Sequence, residues 1–298
     1  MLEILQSPSL AEKTTLRIGG RAIAEVVARS GKACEALPET LRRLGGVPHV
    51  MGAGSNILAR DGELPIVLVR PAVRDMPEVV GEAAGKTLVH AGAGVRMPRL
   101  LGFCAEHGLS GLEGLCGIPG TVGGAVAMNA GSYGCETCAA VHSVEIFELK
   151  QGFMTLAARE IKYGYRHIAV PGNINEFIIL GVTFGLTPAE RGGIKKLMAF
   201  NFLKKKSTQP VAAHSAGCVF KNPEGGLSAG RLLDQAGLKG KRCGGMAFSH
   251  IHANFLVNEG GGSAAAAFDL IAQARESVSR RFGINLELEV RVAPWPSR

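Results

Sequence analysis

Between Gly114 and Gly134 the chain places seven glycines and one proline in 21 residues, with no charged side chain among them. Backbone this rich in glycine either turns tightly or lets a ligand approach closely. Flexible linkers share the glycine but are otherwise polar, whereas this segment interleaves Leu115, Ile118, Val122, Val126 and Met128. The expectation is an ordered, partly buried loop that wraps a large cofactor. Glycine is abundant throughout, 41 of 298 residues, about twice the roughly 7% average. Its clusters separate short apolar segments, so many tight turns are expected.

Those segments read as short β-strands: Ala24 to Ala28, Val47 to Met51, Pro65 to Val69, Thr87 to Ala91, Val141 to Leu149 and Phe177 to Phe184. One helix is visible among them. Met97, Leu100, Leu101, Cys104 and Ala105 follow helical spacing, and Gly108 suits its end. Further on, Pro188 is placed to open a helix from about Ala189 to Lys206. Ser263 is an N-cap for a helix with Phe268, Ile271, Arg275, Val278 and Phe282 on one face, closed by Gly283. Leu286, Leu288, Val290 and Val292 then alternate with Glu287, Glu289 and Arg291, which predicts a half-buried strand with its acids on one face. The fold class is α+β, with residues 1–188 as a first domain and 189–298 as a smaller second.

The formal charge of +8 fits an anionic partner without identifying it. One Trp and three Tyr argue against single-strand nucleic-acid binding, which relies on aromatic stacking. Apolar runs such as Phe177 to Leu180 fall far short of the ~20 residues of a membrane helix. Glu3, Gln6, Glu12 and Lys13 interrupt any signal-peptide core, and a soluble cytoplasmic protein is the expectation. Seven scattered cysteines read as reduced thiols. Cys135 and Cys138 form a C-x-x-C, but no second ligand pair completes a zinc site. Loop thiols are the expectation, and no metal.

A second glycine loop, Gly52-Ala53-Gly54-Ser55-Asn56, directly follows a strand ending at Met51. Backbone N–H groups can converge there on a phosphate, with Ser and Asn as extra donors. It is no dinucleotide fingerprint of the G-x-G-x-x-G kind, because the third glycine would fall at Ile57. Taken by itself, the motif reads as a plain turn more often than as a ligand loop.

Together the two loops carry a resemblance. With Thr14 to Gly20, Tyr163-Gly164-Tyr165-Arg166, Gln209-Pro210, Ser215 to Pro223, Leu232 to Gly240, His252-Ala253-Asn254-Phe255 and Leu286 to Val290, the chain resembles the UDP-N-acetylenolpyruvoylglucosamine reductase (MurB) family, in its shorter subtype. The resemblance implies an FAD-binding domain of the vanillyl-alcohol-oxidase/PCMH type followed by a smaller substrate-binding domain. It makes Gly52, Ala53, Gly54, Ser55 and Asn56 the diphosphate cradle. It makes the second loop the bed of the flavin, with Ile118, Pro119, Gly120, Thr121, Gly123, Gly124 and Asn129 as contacts.

The reaction so implied is NADPH-dependent, FAD-mediated reduction of an enolpyruvyl ether of UDP-N-acetylglucosamine to the lactyl ether, in peptidoglycan precursor synthesis. Arg166 matches the cation that faces the substrate carboxylate, a role its charged planar fork suits. Ile168 stands where the family usually has serine. Cys218 matches the proton donor, serine in most members, and a thiol is the stronger acid. Glu289 matches the catalytic glutamate, with Glu287 in reserve on the same strand face. Lys221 and Asn222 resemble residues that hold the UDP diphosphate. His252 occupies a substrate-neighbouring position, where a structural role fits equally. Two other readings remain open: a different FAD oxidoreductase of the same fold, and a basic non-catalytic binding protein. The oligomeric state is not legible.

Overall fold

The computed structural model describes residues 1–170 and 177–294. Packing divides the chain into two units that exchange segments. The first holds residues 1–6, 24–53 and 67–204; the second holds 7–23, 54–66 and 205–298. The sequence suggested a single cut between 188 and 189. Two early segments instead pack with the C-terminal part, and the last crossing falls within a helix, after Lys204. The described helices are α1 (Leu10–Lys13), α2 (Leu37–Leu44), α3 (Met97–His107), α4 (Val122–Ala127), α5 (Arg191–Thr208), α6 (Ala229–Gln235) and α7 (Ala264–Phe282).

The first unit is built on an antiparallel sheet whose strands run in the order Gly152–Ala157, Val141–Glu148, Phe177–Pro188, Lys86–Gly92, Glu78–Ala83. The run Phe177 to Leu180 is apolar without alternation because both faces of its strand are covered. Phe177 and Ile179 join a core with α3 and α4, while Ile178 and Leu180 join a second core with Val26, Val67 and Val69. Those valines come from a four-stranded sheet ordered Leu2–Gln6, Arg21–Ala28, Glu63–Pro71, Val47–Val50. Gly108 ends α3 in the left-handed region at φ 67°, as its position implied. Pro188, expected to open α5, is instead the last residue of a strand and pairs with Leu109. A proline lacks the N–H a central strand needs, and a strand end is where one is tolerated.

The second unit carries an antiparallel sheet ordered His214–Cys218, Phe255–Asn258, Met246–Phe248, Arg242–Cys243. α7 supplies Ala267, Leu270, Ile271, Ala274 and Val278 to its core. That stripe is rotated from the expected one: Phe268 and Phe282 are half-buried, and Arg275 is exposed, its Nε donating to the Leu286 carbonyl at 3.1 Å. Small alanines let α7 approach the sheet closely, so they form the buried side. The strand expected over residues 286–292 is reduced to one bridge, Leu288 to Phe220, and a short strand Arg291–Ala293 parallel to Ile57–Ala59. Its apolar side survives, since Leu286 and Val290 are buried.

Candidate active site

The loop after Val47–Val50 is held from both ends. Gly52 leaves no room for a side chain, because a Cβ there would stand 2.6 Å from Thr121 Oγ1. Its carbonyl accepts from Arg70 Nη1, and Arg70 Nε donates to the buried Glu25 at 2.5 Å. Gly54 has φ 67°, and a Cβ on it would meet the Lys13 carbonyl at 2.3 Å. The Thr15 N–H donates to the Gly54 carbonyl at 3.1 Å, so the Thr14 to Gly20 motif buttresses the loop. Asn56 turns away: Nδ2 donates to the Glu289 carbonyl at 3.2 Å, and its own carbonyl accepts from Arg291. Among the described residues none accepts from the N–H of Gly52, Ala53 or Gly54. Successive unsatisfied donors without an acidic neighbour in the loop suit a diphosphate. A strand, not a helix, follows at Ile57, as the missing third glycine implied.

In the second loop Thr121 caps the six-residue α4, its Oγ1 accepting from Gly124 N–H at 3.3 Å. The Gly123 N–H donates to the Ala93 carbonyl at 2.9 Å, and a Cβ on Gly123 would lie 2.8 Å from Ala93 Cβ. Gly120 reaches φ 140°. Ile118 and Pro119 are the accessible part, half-buried and exposed respectively, while Thr121 and Gly123 are buried. Asn129 is fully buried and its amide is consumed by protein. Nδ2 donates to Glu136 Oε2 at 3.2 Å and to the Gly164 carbonyl at 3.0 Å, and Oδ1 accepts from Cys138 N–H at 3.0 Å. Its side chain therefore knots three loops.

One of those loops presents Arg166. The hairpin Lys162–Gly164 and His167–Ala169 pairs Gly164 with His167, which leaves Tyr165 and Arg166 as a two-residue turn. Arg166 takes φ 56°, a left-handed conformation that non-glycine residues reach at a cost. Nη2 donates to the Gly131 carbonyl at 3.0 Å, and the guanidinium lies over the Tyr165 ring at 4.9 Å. Ile168, in the place of the family's serine, is buried in the core.

Arg166 belongs to the first unit, Cys218 and Glu289 to the second. Cys218 ends an edge strand and follows a bulge. Ser215 faces Val257 and Cys218 faces Phe255, one residue more on the near strand than on its partner, and Gly217 takes φ 79° within it. Such bulges re-aim the side chains beside them. Glu289 is fastened next door: its N–H donates to the Val219 carbonyl at 2.8 Å. Both side chains are half-buried. Beneath them sits Asn254, 2% exposed, which sequence reasoning left without a role. Its carbonyl accepts from Val219 N–H, its Oδ1 accepts from Phe220 N–H at 3.0 Å, and its Nδ2 donates to the Phe220 carbonyl at 2.8 Å. An isolated asparagine between Ala253 and Phe255 carries no periodic signal, so only coordinates reveal it.

Glu287 is exposed and paired with Lys221 at 3.2 Å, an ion pair in water worth little. Asn222 Oδ1 accepts from the Ala229 N–H at 3.0 Å, at the start of α6. His252 Nδ1 accepts from Asn254 N–H at 3.2 Å, and its ring meets Phe255 edge-on. Burial first, and the Lys239 charge after it, push the His252 pKa down. Cys135 and Cys138 donate to the carbonyls of Gly111 and Val126. Burial raises both pKa values, that of Cys138 to about 12, with Glu136 adding to the effect. Among the described residues no His, Cys, Asp and Glu group has the shape of a metal site, and no helix is long and apolar enough to cross a membrane.

Residues 24–154 match the family described as an FAD binding domain, and residues 209–293 match the C-terminal domain of UDP-N-acetylenolpyruvoylglucosamine reductase. The chain is 56% identical over 295 residues to UDP-N-acetylenolpyruvoylglucosamine reductase of Nitratidesulfovibrio vulgaris, covering 99% of this chain and 100% of that protein. It is 53% identical to the Oleidesulfovibrio alaskensis protein of the same name, covering 98% of each. The crystal structure of the reductase from Thermus caldophilus superposes with a TM-score of 0.80 at 34% identity, over 99% of both chains. The α+β architecture is thus an FAD-binding domain of the PCMH type joined to the C-terminal domain of these reductases.

Proposed function

The chain belongs to the UDP-N-acetylenolpyruvoylglucosamine reductase family, and from that premise we propose that it reduces the enolpyruvyl ether of UDP-N-acetylglucosamine to UDP-N-acetylmuramate, with FAD bound and NADPH as donor. The reaction is a step of peptidoglycan precursor synthesis in the cytoplasm. Residues 24–154 serve chiefly the cofactor and 209–293 the sugar nucleotide. Bound FAD supplies a two-electron relay between the nicotinamide and the carbon–carbon double bond.

The chain's own residues do the rest. The N–H groups of Gly52 to Gly54, with Ser55, hold the cofactor diphosphate, while Asn56 ties the loop to the Glu289 backbone. Ile118 and Pro119 present apolar side chains to the ring system, and Gly120 lets the backbone turn beside them. Arg166 takes the substrate carboxylate as charge accumulates there, a charge-assisted contact that strengthens during the reaction. Glu289 is the polar partner of the enolate. Cys218 delivers the proton that completes the saturated carbon. Lys221 can exchange Glu287 for a diphosphate oxygen at small cost, because the ion pair is exposed. Asn222 and His252 complete the nucleotide side, His252 as a neutral hydrogen-bonding ring.

One observation carries the reading. A glycine bulge sets Cys218 directly before Val219, and the Val219 carbonyl accepts from the Glu289 N–H at 2.8 Å, so the proposed acid and its partner share one backbone anchor. The test is anaerobic stopped-flow with the two substrates added separately. Cys218→Ala keeps flavin reduction by NADPH and slows reoxidation by the sugar nucleotide by about 10²–10⁴-fold, while Cys218→Ser retains much of the rate. Reoxidation at wild-type speed in Cys218→Ala would remove the thiol from the mechanism.

A further inference from the structure

Arg70 makes one contact more than its ion pair requires. Glu25 is 1% exposed, and a buried carboxylate has to be paired. Nε of Arg70 meets that need at 2.5 Å. The Nη1 contact to the Gly52 carbonyl is additional, and it falls on the peptide that begins the first glycine loop. In a trans peptide the carbonyl of one residue and the N–H of the next point in opposite directions. A Gly52 carbonyl held toward Arg70 therefore turns the Ala53 N–H away from it. Rotation of this peptide is limited from the other side too, since Gly52 packs against Thr121. Neither the Ala53 nor the Gly54 N–H has an acceptor among the described residues.

We propose that Glu25 and Arg70 are a positioning pair that presets the Gly52–Ala53 peptide as a donor for the cofactor diphosphate. The inference rests on the flavin reading above and adds residues to it. Arg70 acts through the loop rather than as the counterion, because Glu25 already balances its charge. The pair therefore controls affinity for the dinucleotide by preorganisation. Arg70→Lys keeps the charge but replaces a planar fork with a single ammonium, which cannot hold a carboxylate and a carbonyl in the same fixed geometry.

The test is titration of FAD into apo-protein, read by flavin fluorescence, beside thermal unfolding of each apo-protein. The double variant Glu25→Gln/Arg70→Met removes the charges together and is expected to bind FAD about tenfold or more weakly, with an unfolding midpoint near the wild-type value. Glu25→Gln alone loosens the Arg70 fork that Glu25 holds, so its affinity falls between wild type and the double variant, as does that of Arg70→Lys. FAD affinity unchanged in a folded double variant overturns the inference, as does an equal loss in all three variants that tracks their unfolding midpoints. If the double variant does not fold, Arg70→Lys decides: weaker binding at wild-type stability supports the pair, and unchanged binding overturns it. A wild-type protein that takes up no FAD would instead strike the proposed function.

Discussion

Arg166 shows a residue under tension between fold and task. Its φ of 56° belongs to glycine's territory, and a left-handed non-glycine residue costs roughly 1–2 kcal/mol. Arg166→Gly is therefore expected to leave the unfolding free energy unchanged or raised in urea titration, while turnover collapses. A destabilised Arg166→Gly would mean that the guanidinium contacts to Gly131 and Tyr165 outweigh the strain. His252 gives a pH signature. Its folded pKa lies below the unfolded value of about 6.5, so the unfolded chain takes up a proton first as the pH drops. The stability from its neutral ring is full above about pH 6.5 and is lost as the pH falls through the folded value. The midpoint of wild type should drop more steeply between about pH 7 and pH 5 than that of His252→Gln; parallel curves would contradict this. The candidate residues were legible through local motifs, since Cys218 and Arg166 sit in short recognisable strings. Asn254 was not, because its partners are 34 residues away in sequence.

Elements were legible where one periodicity ruled them. α3 stops at its expected glycine, and α7 both starts and stops at its expected signals, Ser263 accepting from Ala266 N–H at 3.2 Å and Gly283 closing α7 at φ 68°. The second cap of α7 was invisible. Both carboxylate oxygens of Asp61 accept from the N–H groups of Ala264 and Ala265, at 3.1 and 3.0 Å, from some two hundred residues upstream. Each cap is worth about 0.5–2 kcal/mol, and a charged one also meets the helix dipole. Asp61→Ala should cost more than Ser263→Ala in urea unfolding at neutral pH, the former about 2 kcal/mol and the latter about 1. Equal stability of Asp61→Ala and wild type would deny the cap. Alternation over residues 286–292 foretold the burial of Leu286 and Val290 but not the backbone. Leu288 and Val290 reach the core while residues 289 and 290 bond the Val219 carbonyl instead of running along a ladder.

At the scale of the whole molecule, the exchange of segments between units escaped sequence reasoning for a plain reason. Residues 7–23 and 54–66 lie far in sequence from the C-terminal unit, and only long-range packing assigns them to it. Leu16, Ile18 and Leu58 sit in the core formed with α6 and α7. The boundary between the units falls within the glycine loop, between Ala53 and Gly54. With FAD bound, the chain is proposed to pass hydride from NADPH only to an enolpyruvyl sugar nucleotide. The most direct measurement of this is anaerobic NADPH oxidation by the purified holoenzyme, with the product followed by mass spectrometry. The account predicts sustained oxidation only when the enolpyruvyl ether of UDP-N-acetylglucosamine is present, with that substrate gaining two hydrogen atoms. Oxidation without it, or a reduced flavin that the sugar nucleotide leaves untouched, would contradict the account.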